Sequence, residues 1–144
     1  MKHTQDQTTA HSAQCFLVTC MDFRLIDDAV RFMDDLGYNN NYDQFILAGS
    51  SLGFTQTKFK HWSKTLMDHM GIGLDLHDFR EIIFIDHIDC GAYKKFYPSI
   101  TNPEDEAFHH KEHMQMARDK LAHKFPSFKF RGYLMDLTGE CTPI

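Results

Sequence analysis

The sequence predicts an α/β domain with a mostly parallel four-stranded sheet in the order 2-1-3-4, flanked by helices. Three observations predict it. Two runs, CFLVTC (15–20) and EIIFIDH (81–87), are apolar through their middles without polar alternation, as strands buried on both faces are. Between the strand-like runs lie segments whose apolar residues recur at helical spacing. Strands that alternate with helices in this way are joined by right-handed crossovers into a parallel sheet.

The elements follow in order. Residues 1–14 are polar and read as a flexible arm; residues 15–144 form a single domain. After the first strand, Ile26, Ala29, Val30, Met33 and Leu36 mark a helix over 26–36, closed by Gly37. QFILAG (44–49) reads as a second buried strand, ended by a glycine turn at Gly49-Ser-Ser-Leu-Gly53. Phe59, Trp62, Leu66 and Met70 predict a helix over 55–70, closed by Gly-Ile-Gly at 71–73. The third strand is 81–87, and Asp89 is placed to cap a short helix after it. PSITNPEDE reads as a loop, residues 104–124 as the longest helix, and 128–137 as the fourth strand. The expected core includes Phe16, Phe45, Phe84 and Ile85.

Composition narrows the function. The formal charge of −5 and the lack of a Lys/Arg cluster beyond Lys94-Lys95 argue against nucleic acid as a partner. No apolar run is long enough for a membrane span, and the N-terminus lacks the apolar stretch of a secretion signal, so a cytoplasmic protein is expected. There the cysteines 15, 20, 90 and 141 are free thiols or metal ligands rather than disulfides.

In the order 2-1-3-4 the chain winds away from strands 1 and 3 in opposite directions, leaving a crevice at their carboxyl ends. Strand 1 ends at Cys20 and strand 3 at His87, so Cys20-x-Asp22-x-Arg24 and His87-x-x-Cys90 meet there. Two thiolates and an imidazole are a common zinc set, and three protein ligands leave a fourth position open, as in catalytic sites. If the chain stays extended, Cys20, Asp22 and Arg24 share one side. Asp22 then either accepts a hydrogen bond from water on the metal or binds the metal itself, and Arg24 can hold it off by bidentate pairing. Taken singly, the cysteine would be a small core residue and the Asp/Arg pair a surface ion pair. Their convergence at two adjacent strand ends favours the functional reading.

Cys20-Met-Asp22-Phe-Arg24, Ala48-Gly49 and His87-Ile-Asp-Cys90-Gly91 together resemble the β-class carbonic anhydrase pattern. GYLMDLTGE (132–140) is similar to that family's last core strand, so the resemblance runs over roughly residues 15–140. It implies that Cys20, His87 and Cys90 hold Zn2+ and that Asp22 and Arg24 form the dyad controlling the fourth position. It also implies reversible hydration of CO2 to bicarbonate by zinc-bound hydroxide, in a homodimer or higher homo-oligomer. The chain departs from the family in having Ile46-Leu47 where Arg-Asn usually precedes Ala-Gly, and in its short N-terminal arm. The rival readings are a zinc lyase or hydrolase acting on another small substrate, and a catalytically silent zinc-binding or bicarbonate-sensing protein.

Two further features invite a functional reading. His109 and His113 are spaced i, i+4 and could chelate a metal, but a solvated helix face with His110 is the expectation. AGSSLG could offer N–H groups to an anion, and a plain turn is preferred. Cys15 and Cys141 are ordinary thiols.

Overall fold

The computed structural model describes residues 8–144. Its centre is a five-stranded sheet in the order β2-β1-β3-β4-β5, formed by Tyr42–Ile46, Cys15–Thr19, Glu81–His87, Lys129–Met135 and Cys141–Pro143. The first four strands are parallel and stand in the expected order. The fifth is an addition to the expected sheet; it pairs antiparallel with β4. Three residues are too short to show a hydrophobic period. The turn that returns them is nevertheless well specified: the Asp136 carboxylate accepts from Thr138 N, Thr138 Oγ1 and Glu140 N, and Gly139 takes a positive φ of 91°.

The helices are α1 (Ile26–Asp35), α2 (Ser51–Thr55), α3 (Lys60–His77), α4 (Gly91–Phe96) and α5 (Pro103–Lys124). The expected helix 55–70 is α3, which starts later, at Lys60, and runs on to His77; the separate short helix α2 ends at Thr55. Gln56 leaves the helical region, and its side chain closes the break by accepting from Phe59 N while donating to Gly53 O and Phe59 O. Gly-Ile-Gly does not end α3. A Cβ on Gly73 would lie 2.9 Å from the Phe79 ring, so glycine there permits close packing, and the helix stops at Asp78 in the left-handed region. Helix α5 begins at Pro103, capped by the Asn102 side chain, which shortens the expected loop.

Alternation along β1 and β3 splits the core. Phe16, Val18, Ile82 and Phe84 face α2, α3 and α5, where they meet Phe54, Leu66, Met70 and Met114. Cys15, Leu17, Ile83 and Ile85 face the other side, with Met33 of α1 and Leu25. Strand β2 is shifted from 44–49 to 42–46. It is an edge strand and half-exposed rather than buried, so Phe45 is only partly in the core. Residues 1–7 of the expected arm lie outside the described residues. Residues 8–14 hold no regular element, and Ala13 N and Gln14 N donate to His77 O and Asn41 O. Among the described residues no helix is long and apolar enough to cross a membrane.

Candidate metal centre

Register brings the two sequence motifs together. Thr19 pairs with Ile85, so the chain leaving β1 at Cys20 runs beside the end of β3 at His87. Cys20 Sγ and Cys90 Sγ lie 3.9 Å apart, and with a ring nitrogen of His87 they form a cluster whose ligand atoms are all within 4.8 Å of one another. Tetrahedral zinc with Zn–S bonds of about 2.3 Å needs a sulfur–sulfur edge of about 3.8 Å. The His87 ring fits the same reading. Its Nδ1–H donates to the carbonyl oxygen of Ile88 at 2.9 Å, which leaves Nε2 as the free acceptor. That nitrogen is buried and without a hydrogen-bond partner. Buried polar atoms are seldom left so, and a metal would satisfy this one.

The sulfurs are unequal. The hydrogen bond from Cys90 draws the Cys20 thiol down to about 4; burial opposes this, and the His87 ring and the Gly49 N–H add to it. The same bond, together with burial, pushes Cys90 up. The Gly49 N–H donates to Cys20 Sγ at 3.3 Å from a residue with φ of 78°. The AGSSLG segment is therefore not the plain turn expected: its second half opens helix α2, and the Gly49 N–H in its first half is spent on Cys20 Sγ.

Asp22 and Arg24 pair, though not through an extended chain. After Cys20 the backbone turns into a single 3-10 turn at Phe23–Leu25, and Asp22 caps it by accepting from Arg24 N at 2.9 Å. This folds the Arg24 side chain back onto the same carboxylate, Nε to Oδ1 at 3.0 Å and Nη2 to Oδ2 at 2.7 Å. The guanidinium holds the Asp22 carboxyl down at about 2, against a smaller burial effect. Asp22 Oδ2 stands 3.7 Å from His87 Nε2, at the edge of the metal cluster.

Sequence reasoning missed Asp89. It does not cap the helix after β3; Cys90 occupies that position. Asp89 instead sits at φ 59° and accepts from Arg24 Nη1 at 2.9 Å, from Arg24 Nη2 at its backbone oxygen (3.0 Å), and from Lys94. Arg24 therefore clamps Asp22 to the turn that carries Cys90. The capping role expected of Asp89 hid the other signal, its place between two candidate ligands.

The expectation of a solvated histidine face on α5 is overturned. His110 and His113 are buried. His113 bonds Thr55 Oγ1 and Tyr97 OH, and His110 stands between Asp86 and Glu106. A helix of such mixed charge gives no sequence sign that it packs over buried polar groups. Cys15 and Cys141 are free, and burial pushes both thiols up to about 12.

Two cavities flank the centre. One of about 190 Å³ lies between β1, β2 and α1, and Asp22, Leu25, Ile46 and His87 line it. The other, about 730 Å³, opens past Cys20 and Asp22 toward Phe59, Trp62, Phe96, Lys58 and Lys95.

Comparison with known proteins agrees with this architecture. The β-carbonic anhydrase CafA of Aspergillus fumigatus superposes with a TM-score of 0.57 at 12% identity, covering 93% of this chain and 76% of that one. Wild-type CafD of the same fungus gives 0.56 at 13%, covering 98% and 94%. A structure from a study of two tetrameric β-carbonic anhydrases of Sordaria macrospora gives 0.53 at 11%, covering 94% and 82%. Among curated sequences, a protein of Rickettsia bellii (strain RML369-C), named only as uncharacterized, is 40% identical over 91% of this chain and 81% of its own length. One of Rickettsia conorii, named likewise, is 38% identical over 91% and 72%. The family model described as "Putative carbonic anhydrase" matches residues 10–144, which include both strand-end motifs and every strand of the sheet. By that match the chain belongs to this carbonic anhydrase family.

Proposed function

We propose that the protein catalyses the reversible hydration of CO2 to bicarbonate, with Zn2+ held by Cys20, His87 and Cys90. The observation that carries this reading is the unpartnered Nε2 of His87, buried beside two sulfurs at tetrahedral spacing and faced by a carboxylate held in place by an arginine. A zinc ion in such a set supplies Lewis acidity and makes water a nucleophile near neutral pH. Asp22, ionised throughout the working range, would accept a hydrogen bond from the attacking water and fix its orientation. Arg24 keeps both Asp22 oxygens engaged, so the carboxylate turns toward water and not onto the metal. The small apolar cavity beside Asp22 suits a linear, uncharged molecule.

Stopped-flow CO2 hydration on metal-quantified protein, at neutral and at alkaline pH, tests this reading. Turnover in proportion to zinc is expected. Stoichiometric zinc without hydration at either pH would refute it and favour the silent zinc-binding or sensing protein.

A second reading has its own observation. The cleft of about 730 Å³ is far larger than CO2 requires, and its aromatic wall and two lysines match the usual lining of sites for organic ligands. A lyase or hydrolase reaction on a larger small substrate would use the same metal set. Hydrolysis of activated esters measured on the same protein separates the two readings.

We also propose a homodimer through the β2 edge. Met21, Phe23, Ile26, Val30 and Ile46 expose between 46% and 81% of their surface in one region around that edge. Exposed apolar clusters of this kind mark association sites. Light scattering at micromolar concentration is expected to give twice the chain mass, and a monomer would rule the edge out.

A further inference from the structure

A chain of buried polar groups runs beneath the metal centre, and no part of the proposed reaction uses it. Glu106 of α5 accepts from Asp89 N at 3.1 Å through Oε1 and from Cys90 N at 3.3 Å through Oε2. Its Oε2 also receives His110 Nε2 at 2.8 Å, one helical turn along. The other ring nitrogen, Nδ1, meets Asp86 Oδ2 at 2.8 Å. Asp86 in turn accepts from Ser51 N (3.0 Å), Ser51 Oγ (2.6 Å) and Tyr93 OH (2.7 Å). Asp86, Glu106 and His110 are each at most 2% exposed.

The ends of this chain matter. One end holds the two successive N–H groups that shape the turn carrying Cys90. The other holds Ser51, two residues after Gly49, whose N–H donates to Cys20 Sγ. In between, Asp86 is the backbone neighbour of His87. All three ligand-bearing segments are therefore tied to one buried series of hydrogen bonds. Burying two carboxylates and an imidazole is costly, and apolar side chains would fill the space at lower cost. The arrangement is suited to precise placement, since outer partners of metal sites commonly fix the ligands' orientation.

We infer that Glu106 is a positioning residue for the metal centre, holding the Cys90 turn in ligating geometry and itself held by His110 and Asp86. The inference rests on the reading of Cys20, His87 and Cys90 as a metal set.

The test measures zinc affinity by chelator competition, alongside the Co2+-substituted absorption spectrum and the melting temperature with and without metal. Glu106→Gln removes one acceptor from three donors. It should weaken zinc binding about 10- to 100-fold, as outer-partner changes commonly do, and alter the thiolate-to-cobalt bands. Leu121→Ala, on the buried face of the same helix and outside the chain of polar groups, should lower the melting temperature and leave zinc affinity and spectrum unchanged. If the wild-type protein binds neither zinc nor cobalt, the metal reading itself fails. If it binds them and Glu106→Gln keeps wild-type affinity and spectrum, the positioning role is overturned. Should that variant fold poorly, amide hydrogen exchange on the wild-type protein without added metal decides the matter. Slow exchange at Asp89 and Cys90 is expected, and exchange at the rate of an unprotected loop would overturn the inference.

Discussion

Replacing Ser51 with alanine should destabilise the protein by about 2 kcal/mol at neutral pH. The residue is fully buried, and its Oγ donates at 2.6 Å to a carboxylate that is itself 1% exposed. Hydrogen bonds to charged groups contribute about 1.5–3 kcal/mol net. Three other donors to Asp86 remain, from Ser51 N, Tyr93 OH and His110, so the loss stays below the cost of an unpaired buried charge. For a chain of this size, about 3 °C per kcal/mol gives a fall of about 6 °C in melting temperature. The pH dependence has a definite sign. Burial alone would raise the Asp86 carboxyl, but the hydrogen bonds and charge of His110, with those of Ser51, outweigh it and lower it. Stability linked to ionised Asp86 is thus present above the usual carboxylate value near 4 and lost as pH falls through the lower folded value. Urea unfolding of both proteins at pH 7 and in acid measures the gap, which should be near 2 kcal/mol at pH 7 and should narrow in acid. A gap below about 0.5 kcal/mol at pH 7 would mean that Asp86 is not held as a buried anion by this hydroxyl.

Arg24→Ala should keep zinc at wild-type stoichiometry while CO2 hydration falls by about 100-fold or more, because Asp22 loses its bidentate partner and is free to bind the metal. Wild-type turnover in that variant would end the gate model. Cys90→Ser should lose zinc and, with it, the stabilisation that metal adds to the fold; unchanged zinc content on elemental analysis would remove Cys90 from the ligand set. Both nitrogens of the His110 ring lie 2.8 Å from carboxylate oxygens, of Asp86 and Glu106, and both should carry protons at pH 7. Burial alone would lower its pKa, but Asp86 and Glu106 flank it and raise it above the usual value, and the Tyr93 ring packs on it. Its contribution to stability is complete below pH of about 6.5 and lost as pH rises through the higher folded value. Nitrogen NMR of the ring reads this directly, and one deprotonated nitrogen at pH 7 would contradict it.

What is legible in the sequence follows a physical pattern. β1 and β3 are readable because central parallel strands are apolar on both faces, and their ends carry residues with no packing reason to be there. β2 is misplaced by two residues because its apolar part, Phe45 to Leu47, straddles the strand end and a turn. Gly71 and Gly73 look like a helix stop, since glycine costs about 1 kcal/mol in a helix. Contact between Gly73 and the Phe79 ring outweighs that preference, and no local rule contains it. The candidate metal set is legible as spacing, whereas the reason Asp22 and Arg24 pair is not: a capped turn, rather than strand alternation, brings them together. The support from α5 is hidden because His110 and Glu106, four residues apart on a highly charged helix, look like any solvated pair until Asp86 is placed against them.

The pairing of β1 with β3 also orders events in time. Cys15 stands opposite Glu81, and the intervening chain supplies α1, β2, α2 and α3. Closing so long a span is slow compared with forming any one helix, because its entropic cost precedes the contacts that repay it. On the metal reading, Cys20 meets His87 and Cys90 only once that closure is complete. The complete three-ligand set is thus a product of that closure, so full zinc affinity should appear only as the central strand pair forms.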